Sequence, residues 1–308
     1  MKKPIIKTSL MVAALAGSAL FFAAKPSPPK NKTVKLADDS GLKLPAGFSA
    51  LIVADNLGQA RHLAVTSSGD IYVKLNRPKN GKGILMLHDK NGDGKADDIT
   101  GFGTYGGTGM AIKNGYLYAS SDENVYRYKL DNQQHVVDGV KPEEIVKGLL
   151  ARHEHESKSV TLDNNGNIYV NVGAYSNSCQ EKDRQRGSMG MKPCPILDSA
   201  GGIWQFKADK QNQTYGDGTR YATGLRNVVG LDWNQQDNQL FVMQHGRDQL
   251  HDIFPDLYTV QQSAVLPAEC LYAIKKGDNA GWPYLYYDEF QKKKIMMPEY
   301  GGDGKKEA

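Results

Sequence analysis

The chain has 308 residues, with 38 Lys and Arg against 34 Asp and Glu and a formal net charge of +4. The first 24 residues hold three Lys and no acid, so the remaining 284 carry about +1, with basic and acidic groups interspersed. Phosphate backbones are bound through clustered cations that displace counterions, so this distribution excludes a nucleic-acid partner. The 33 Gly, 16 Tyr against 8 Phe and 40% apolar content describe a turn-rich globular protein with ample chain for a core.

Met1 to Lys7 is basic, Ser9 to Ala24 is apolar, and Lys25 to Lys32 is polar and rich in Pro, which is the order of a secretory signal. Residues 1–24 are therefore expected to be a signal peptide or a retained N-terminal anchor, followed by a linker over 25–40 and one folded domain over 41–308. The apolar run falls short of the roughly 20 residues that span a bilayer, so membrane association is expected only if the segment is retained. An exported, periplasmic or secreted protein is permitted disulfides. Cys179 and Cys194 flank a loop that a disulfide would close, leaving Cys270 outside the pair; three thiols are the alternative.

Along the chain, a turn followed by an aromatic-bearing apolar run recurs at Gly69 to Val73, Gly115 to Ala119, Gly166 to Val170 and Asn238 to Val242. Each follows an apolar segment, at Leu63 to Val65, Met110 to Ile112, Val160 to Leu162 and Val229 to Trp233, and the pairing is that of a β-hairpin. The aromatic positions 72, 118, 169 and 241 are 46, 51 and 72 residues apart. Four-stranded propeller blades repeat every ~40–50 residues, and the long interval fits if Tyr175 to Ala200 is an inserted loop. The fold is thus expected to be an all-β propeller. The one helical signal is Lys141 to Ile145, where Pro142 suits a first helical position. After Phe241 only 67 residues remain, and the tail from Gly301 does not read as a closing strand. A toroid needs its last blade to meet its first, so four to five blades are expected here, with C-terminal blades missing.

Three stretches carry chemistry. Asp89 to Asp98 sets oxygen side chains at loop positions 1, 3, 5 and 9, through Asp89, Asn91, Asp93 and Asp97, with Gly94 at position 6. That spacing suits a structural Ca²⁺, although Thr100 stands where a bidentate Glu would complete the loop. An ion-free Asx turn is the alternative. In His153-Glu154-His155-Glu156 the alternation would put both His on one strand face, which invites zinc, yet no HExxH helix or Cys pair supports it. A single His at a strand end, accepting a proton in a polar cavity, is the more economical reading. Arg226-Asn227 precedes one strand of a hairpin and His245-Gly246-Arg247-Asp248 follows the other, so both groups should meet at one rim. A planar polyanionic cofactor would suit them, and an Arg226–Asp248 structural ion pair is the competing reading.

At these residues the chain resembles the pyrroloquinoline quinone (PQQ)-dependent sugar dehydrogenases, specifically the sorbosone dehydrogenase branch of the glucose/sorbosone dehydrogenase family. The likeness runs from about Leu44 to Tyr300 and rests on His155 to Val160 leading into Gly166 to Gly173, Asn177-Ser178-Cys179, Ala222 to Asn227, His245 to Asp248, and Asp278 to Tyr284. It implies a six-bladed propeller with PQQ and Ca²⁺ over its central channel. It further implies His155 as the general base, Arg226 and Asn227 against quinone and substrate oxygens, and His245 and Arg247 at the cofactor. The carbonyls of Gly246 and Arg247 would ligate calcium, and Glu154 would support His155 by a hydrogen bond. The implied partners are a small-molecule sugar, an aldose or sorbosone, and a periplasmic electron acceptor such as a cytochrome. A non-catalytic propeller that binds a partner, and a calcium-dependent lactonase-type hydrolase, are the competing functions.

Overall fold

A computed structural model describes residues 40–137, 141–267 and 269–307. The expected signal segment and nearly all of the linker lie outside these residues. Among the described residues no helix is long and apolar enough to cross a membrane.

Four antiparallel sheets follow one another along the chain, as the repeat predicts. The first contains β1 (Ala60–Val65), β2 (Ile71–Lys79), β3 (Lys82–His88) and β4 (Asp98–Phe102). The second contains β5 (Met110–Lys113), β6 (Tyr116–Ser120), β7 (Val125–Lys129) and β8 (Glu143–Lys147). The third begins with β9 (Val160–Leu162), β10 (Asn167–Val172) and β11 (Gly202–Lys207). Next, β12 (Gln213–Thr214) crosses back to pair in parallel with β8, and β13 (Thr219–Thr223) completes the third sheet. The fourth holds β14 (Asn227–Asn234), β15 (Gln239–His245) and β16 (Cys270–Ile274), and a two-stranded sheet of β17 (Leu285–Asp288) and β18 (Lys293–Met296) follows. The first strands β1, β5, β9 and β14 lie side by side, which makes each sheet a propeller blade with its first strand innermost.

The long interval in the repeat does come from an insertion, residues 173–201 between β10 and β11, and a Cys179–Cys194 disulfide closes it. The expected helical turn at Lys141 to Ile145 is instead part of β8. There Ile145 and Val146 are fully buried, and Glu143 faces Arg127 on β7 with an Nη2 to Oε2 distance of 2.6 Å, so packing overrides the Pro signal. Short helices occur where none was expected, at α1 (Leu250–Ile253) and α2 (Val260–Val265). The second begins with a reciprocal cap, in which Thr259 Oγ1 accepts from Gln262 N and Thr259 N donates to Gln262 Oε1.

The core lies between blades, and the recurring tyrosines explain how. Tyr72 on β2 donates its hydroxyl to Gln134 O at 2.8 Å and accepts from Val136 N at 3.1 Å, both beyond β7 in the next blade. Tyr118 on β6 donates to Ala208 O beyond β11 at 3.1 Å. Tyr169 on β10 stacks on Trp233 of β14, with ring centroids 5.0 Å apart and planes 16° from parallel. One residue type therefore buries a large ring inside its blade and reaches the following blade with its polar or aromatic end.

Antiparallel connectivity sorts the loops to two ends. First-to-second and third-to-fourth strand turns, including 66–70, 89–97 and 130–137, leave at a lower end. The interblade connections 103–109, 148–159 and 224–226, with the second-to-third strand connections 121–124, 173–201 and 246–269, leave at an upper end. Replacing Tyr72 with Phe strands two backbone groups at the first interblade contact. It should lower the unfolding free energy by about 1–3 kcal/mol, read as a lower urea midpoint at unchanged slope.

Candidate active site

His155, Arg226, Asn227, His245, Gly246 and Arg247 all fall at the upper end, as the hairpin argument requires. They are not equally free to act. His153 and His155 do not share a strand face. Both lie in a bend with left-handed backbone, φ 57° and 53°, which a strand does not accommodate. His155 is half-buried and its Nδ1 is hydrogen bonded to the Ala174 carbonyl. A carbonyl only accepts, so Nδ1 carries the proton and Nε2 presents its lone pair. Burial pushes the imidazole pKa below its ordinary 6.5, and the nearby Arg226 charge pushes the same way. The ring is neutral near pH 7 and poised as a proton acceptor. Glu154 does not supply the support expected of it: its Oε1 pairs with Arg184 Nε at 3.1 Å.

Ala174 also donates its N–H to Arg226 O at 2.7 Å, so one residue fixes both His155 and Arg226. Gly173 makes that approach possible, because a Cβ there would sit 2.6 Å from His155 Cβ and from His155 O. The Arg226 guanidinium is buried and fully engaged. Nε donates to Asn177 O at 3.1 Å, Nη1 to Gly246 O at 2.6 Å, and Nη2 to Asp248 Oδ2 at 2.8 Å. The ion pair weighed from sequence is therefore present. Arg184 shares Asp248 Oδ2 at 3.3 Å.

Asn177, wholly buried, organises this rim. Its side chain accepts from Asp248 N at 2.8 Å and donates to Asp248 O at 3.0 Å, while its carbonyl takes Arg226 Nε and, at 3.0 Å, Trp282 Nε1. Asn227 accepts through Oδ1 from Asn171 Nδ2 at 3.2 Å, and its own Nδ2 has no partner among the described residues. His245 is exposed at the end of β15. Arg247 departs from expectation, since its guanidinium turns inward and pairs with Glu299, both side chains being fully buried. Arg247 Nη2 and Glu299 Oε2 stay without partners among the described residues.

Two buried lysines escaped the sequence reading. Lys74 on β2 donates to Tyr105 O at 2.7 Å, and burial lowers its pKa to about 7. Lys158 bonds Glu156 O, and burial lowers its pKa to about 8. Asp122, whose pKa burial raises, counters both charges and lines an upper-end cleft of about 340 Å³ with Tyr105, Glu123 and Glu156. The signal for Lys74 was its place inside the apolar run Tyr72 to Leu75, whereas Lys158 sits between two Ser before β9 and carries no such signal. A cleft of about 550 Å³ lined by Phe102, Tyr105, Tyr126 and Tyr128 contains none of the expected site residues.

The Asp89 loop lies at the lower end, opposite the end that carries His155. Its oxygens cap the loop's own backbone. Asp89 accepts from Asn91, Gly92 and Gly94 N–H groups, Asn91 from Asp93 N, Asp93 from Lys95 N, and Asp97 from Lys90 N. These bonds depress the Asp89 pKa, and the loop has the Asx-turn form. At the upper end, the neutral His155 and the Asn227 amide suit the oxygens of PQQ and a sugar. The Gly246 carbonyl already accepts from the Arg226 cation, whose charge opposes a calcium ion on the same oxygen.

Fold and rim define a β-propeller with the poised His155 imidazole at its upper end. The TrAA12-like family model matches residues 42–286, and the chain belongs to that family, within the PQQ-dependent sugar dehydrogenases its motifs resemble. Its fold is similar to an iodide structure of Trichoderma reesei Carbohydrate-Active Enzymes Family AA12, at TM-score 0.59 and 20% identity over 80% of this chain and 63% of that one. It is also similar to the holo form of the pyranose dehydrogenase PQQ domain from Coprinopsis cinerea, at TM-score 0.51 and 17% identity over 64% and 46%. A putative oxidoreductase (glucose dehydrogenase) from Thermus thermophilus gives TM-score 0.51 and 18% identity over 80% and 69%. The chain thus spans 46% to 63% of the length of the first two. Curated protein sequences give no match.

Gly173→Ala should displace His155 without disturbing the sheets. The expected result is a shifted His155 imidazole resonance in NMR at unchanged far-UV circular dichroism, with turnover at least about tenfold lower.

Proposed function

We propose that this chain carries the reaction centre of a PQQ-dependent dehydrogenase that oxidises an aldose or sorbosone-type sugar, with His155 as general base. The observation that carries the reading is the tautomer of His155, held by Ala174 O so that Nε2 alone is open. PQQ, when bound, supplies the two-electron oxidant that receives the hydride. The imidazole accepts the sugar hydroxyl proton at Nε2, and burial beside Arg226 keeps it unprotonated until that moment. Asn227 Nδ2 would donate to a quinone or sugar oxygen, and the exposed His245 would border the cofactor. Arg226 would serve cofactor carboxylates by exchanging Asp248 for them, since both are planar acceptors for the same fork. Arg247 is spent on Glu299, and no step is assigned to calcium.

We further infer export and a periplasmic electron acceptor such as a cytochrome. The basic-then-apolar N-terminus and the Cys179–Cys194 disulfide support the first, and the need to reoxidise a bound cofactor supports the second. A non-catalytic binding propeller is the second reading, favoured by the pairing of Arg226 and Arg247.

Reconstitution with PQQ and Ca²⁺ should give dye reduction with a panel of aldoses and sorbosone. His155→Ala should cut kcat by about 10²–10⁴ while the Kd for PQQ stays within about threefold. Absence of turnover across the panel with PQQ bound would favour the binding propeller, and lactone turnover without PQQ the hydrolase.

The acid limb of kcat/KM should fall below pH 6.5, the ordinary histidine value, because the base must be neutral and its site disfavours the cation. A limb at or above that value would contradict the assignment of His155.

A further inference from the structure

At the lower end, away from the proposed reaction centre, Asp70, His88 and His135 meet. Asp70 follows the β1–β2 turn, His88 ends β3, and His135 lies beyond β7 in the next blade. Their ligand atoms all lie within 4.8 Å of one another, and no other triad of His, Cys, Asp and Glu among the described residues does so. Asp70 is 5% exposed; its Oδ1 bonds His88 Nδ1, and its Oδ2 lies 2.9 Å from both His135 Nε2 and Ser68 Oγ. The imidazoles are 36% and 29% exposed, so solvent reaches the cluster from their side.

We propose that Asp70, His88 and His135 form a binding site for a divalent transition metal of the Zn²⁺ class that staples the first blade to the second. Two imidazole nitrogens and a carboxylate are the donors such ions take, whereas Ca²⁺ and Mg²⁺ take oxygens. Metal–ligand bonds of about 2.0–2.2 Å set tetrahedral ligand atoms roughly 3.4 Å apart, inside the 4.8 Å within which the three ligand atoms lie here. The cluster is also held in place without an ion. Tyr72 fixes the residues on both sides of His135, through Gln134 O and Val136 N, and Ser67 N donates to Gln134 Oε1 at 2.7 Å. Without metal, ionised Asp70 accepts an N–H from each imidazole. Binding moves each of those protons to the outer ring nitrogen, freeing Nδ1 of His88 and Nε2 of His135 as ligands, with no net proton released. Ser68 Oγ or water takes the fourth position.

The test uses the full chain, freed of any His tag and treated with chelator, in buffer of fixed Ca²⁺ concentration so that cation contact with the adjacent Asp89 carboxylates is the same in every titration. Calorimetric titration with ZnCl₂ should show one equivalent bound, and the melting temperature should rise by about 5 °C at a hundredfold excess over Kd. His88→Gln and His135→Gln should each weaken binding at least about tenfold. Co²⁺ should give a tetrahedral absorption spectrum that His135→Gln abolishes. Absence of bound Zn²⁺ would overturn the site, leaving a hydrogen-bonded His–Asp–His cluster. Binding undiminished in either variant would overturn it equally, because the metal would then sit elsewhere. His135→Gln changes a partly exposed side chain, and circular dichroism on it separates loss of the site from loss of fold.

Discussion

The upper rim depends on one buried amide. Asn177 holds both main-chain polar groups of Asp248 with its side chain, and holds Arg226 and Trp282 with its carbonyl. A buried guanidinium is tolerated only where its donors are met, and three of the acceptors around Arg226 sit on two loops, 173–201 and 246–269. Those loops are distant in sequence and have no ladder hydrogen bonds in common. The Asn177 amide joins them from within and Arg184 joins them at the surface through Asp248 and Gln249, and through Ala174 the same loop sets the tautomer of His155.

The architecture was legible because it is periodic. Tyr72, Tyr118 and Tyr169 recur at blade spacing, and a turn before each reveals a hairpin without reference to the rest of the chain. Phe241, without a hydroxyl, takes the fourth position and is only half-buried. What sequence misjudged was local signal under tertiary control. Pro142 reads as a helix start, yet burial of Ile145 and Val146 and the Arg127–Glu143 pair make the segment an outer strand. Thr259-Val260-Gln261-Gln262 carries a capping-box pattern too short to stand out beside the strands.

The shared end of the candidate residues was legible, and their pairing was not. The hairpin places Arg226, Asn227 and His245 to Asp248 at one end, and the motif identifies His155. Which cation is spoken for depends on partners remote in sequence: Glu299 for Arg247, and Asp248 with Gly246 for Arg226. The Asp70 triad was out of reach for the same reason, since its three members are dispersed over 65 residues and nothing local links them. Lys74 was hidden in an apolar strand, where a charged residue ordinarily marks a solvent-facing position, and Lys158 in the polar connection before β9.

The interblade tyrosines all reach forward, from one blade to its successor. An array linked in this way is a nearest-neighbour chain, in which each boundary contributes its own increment of cooperativity. Amide exchange would then be graded by boundary and not uniform across the molecule. The Tyr169–Trp233 junction would then open as a unit of its own, separate from the boundary that Tyr72 holds between the first and second blades.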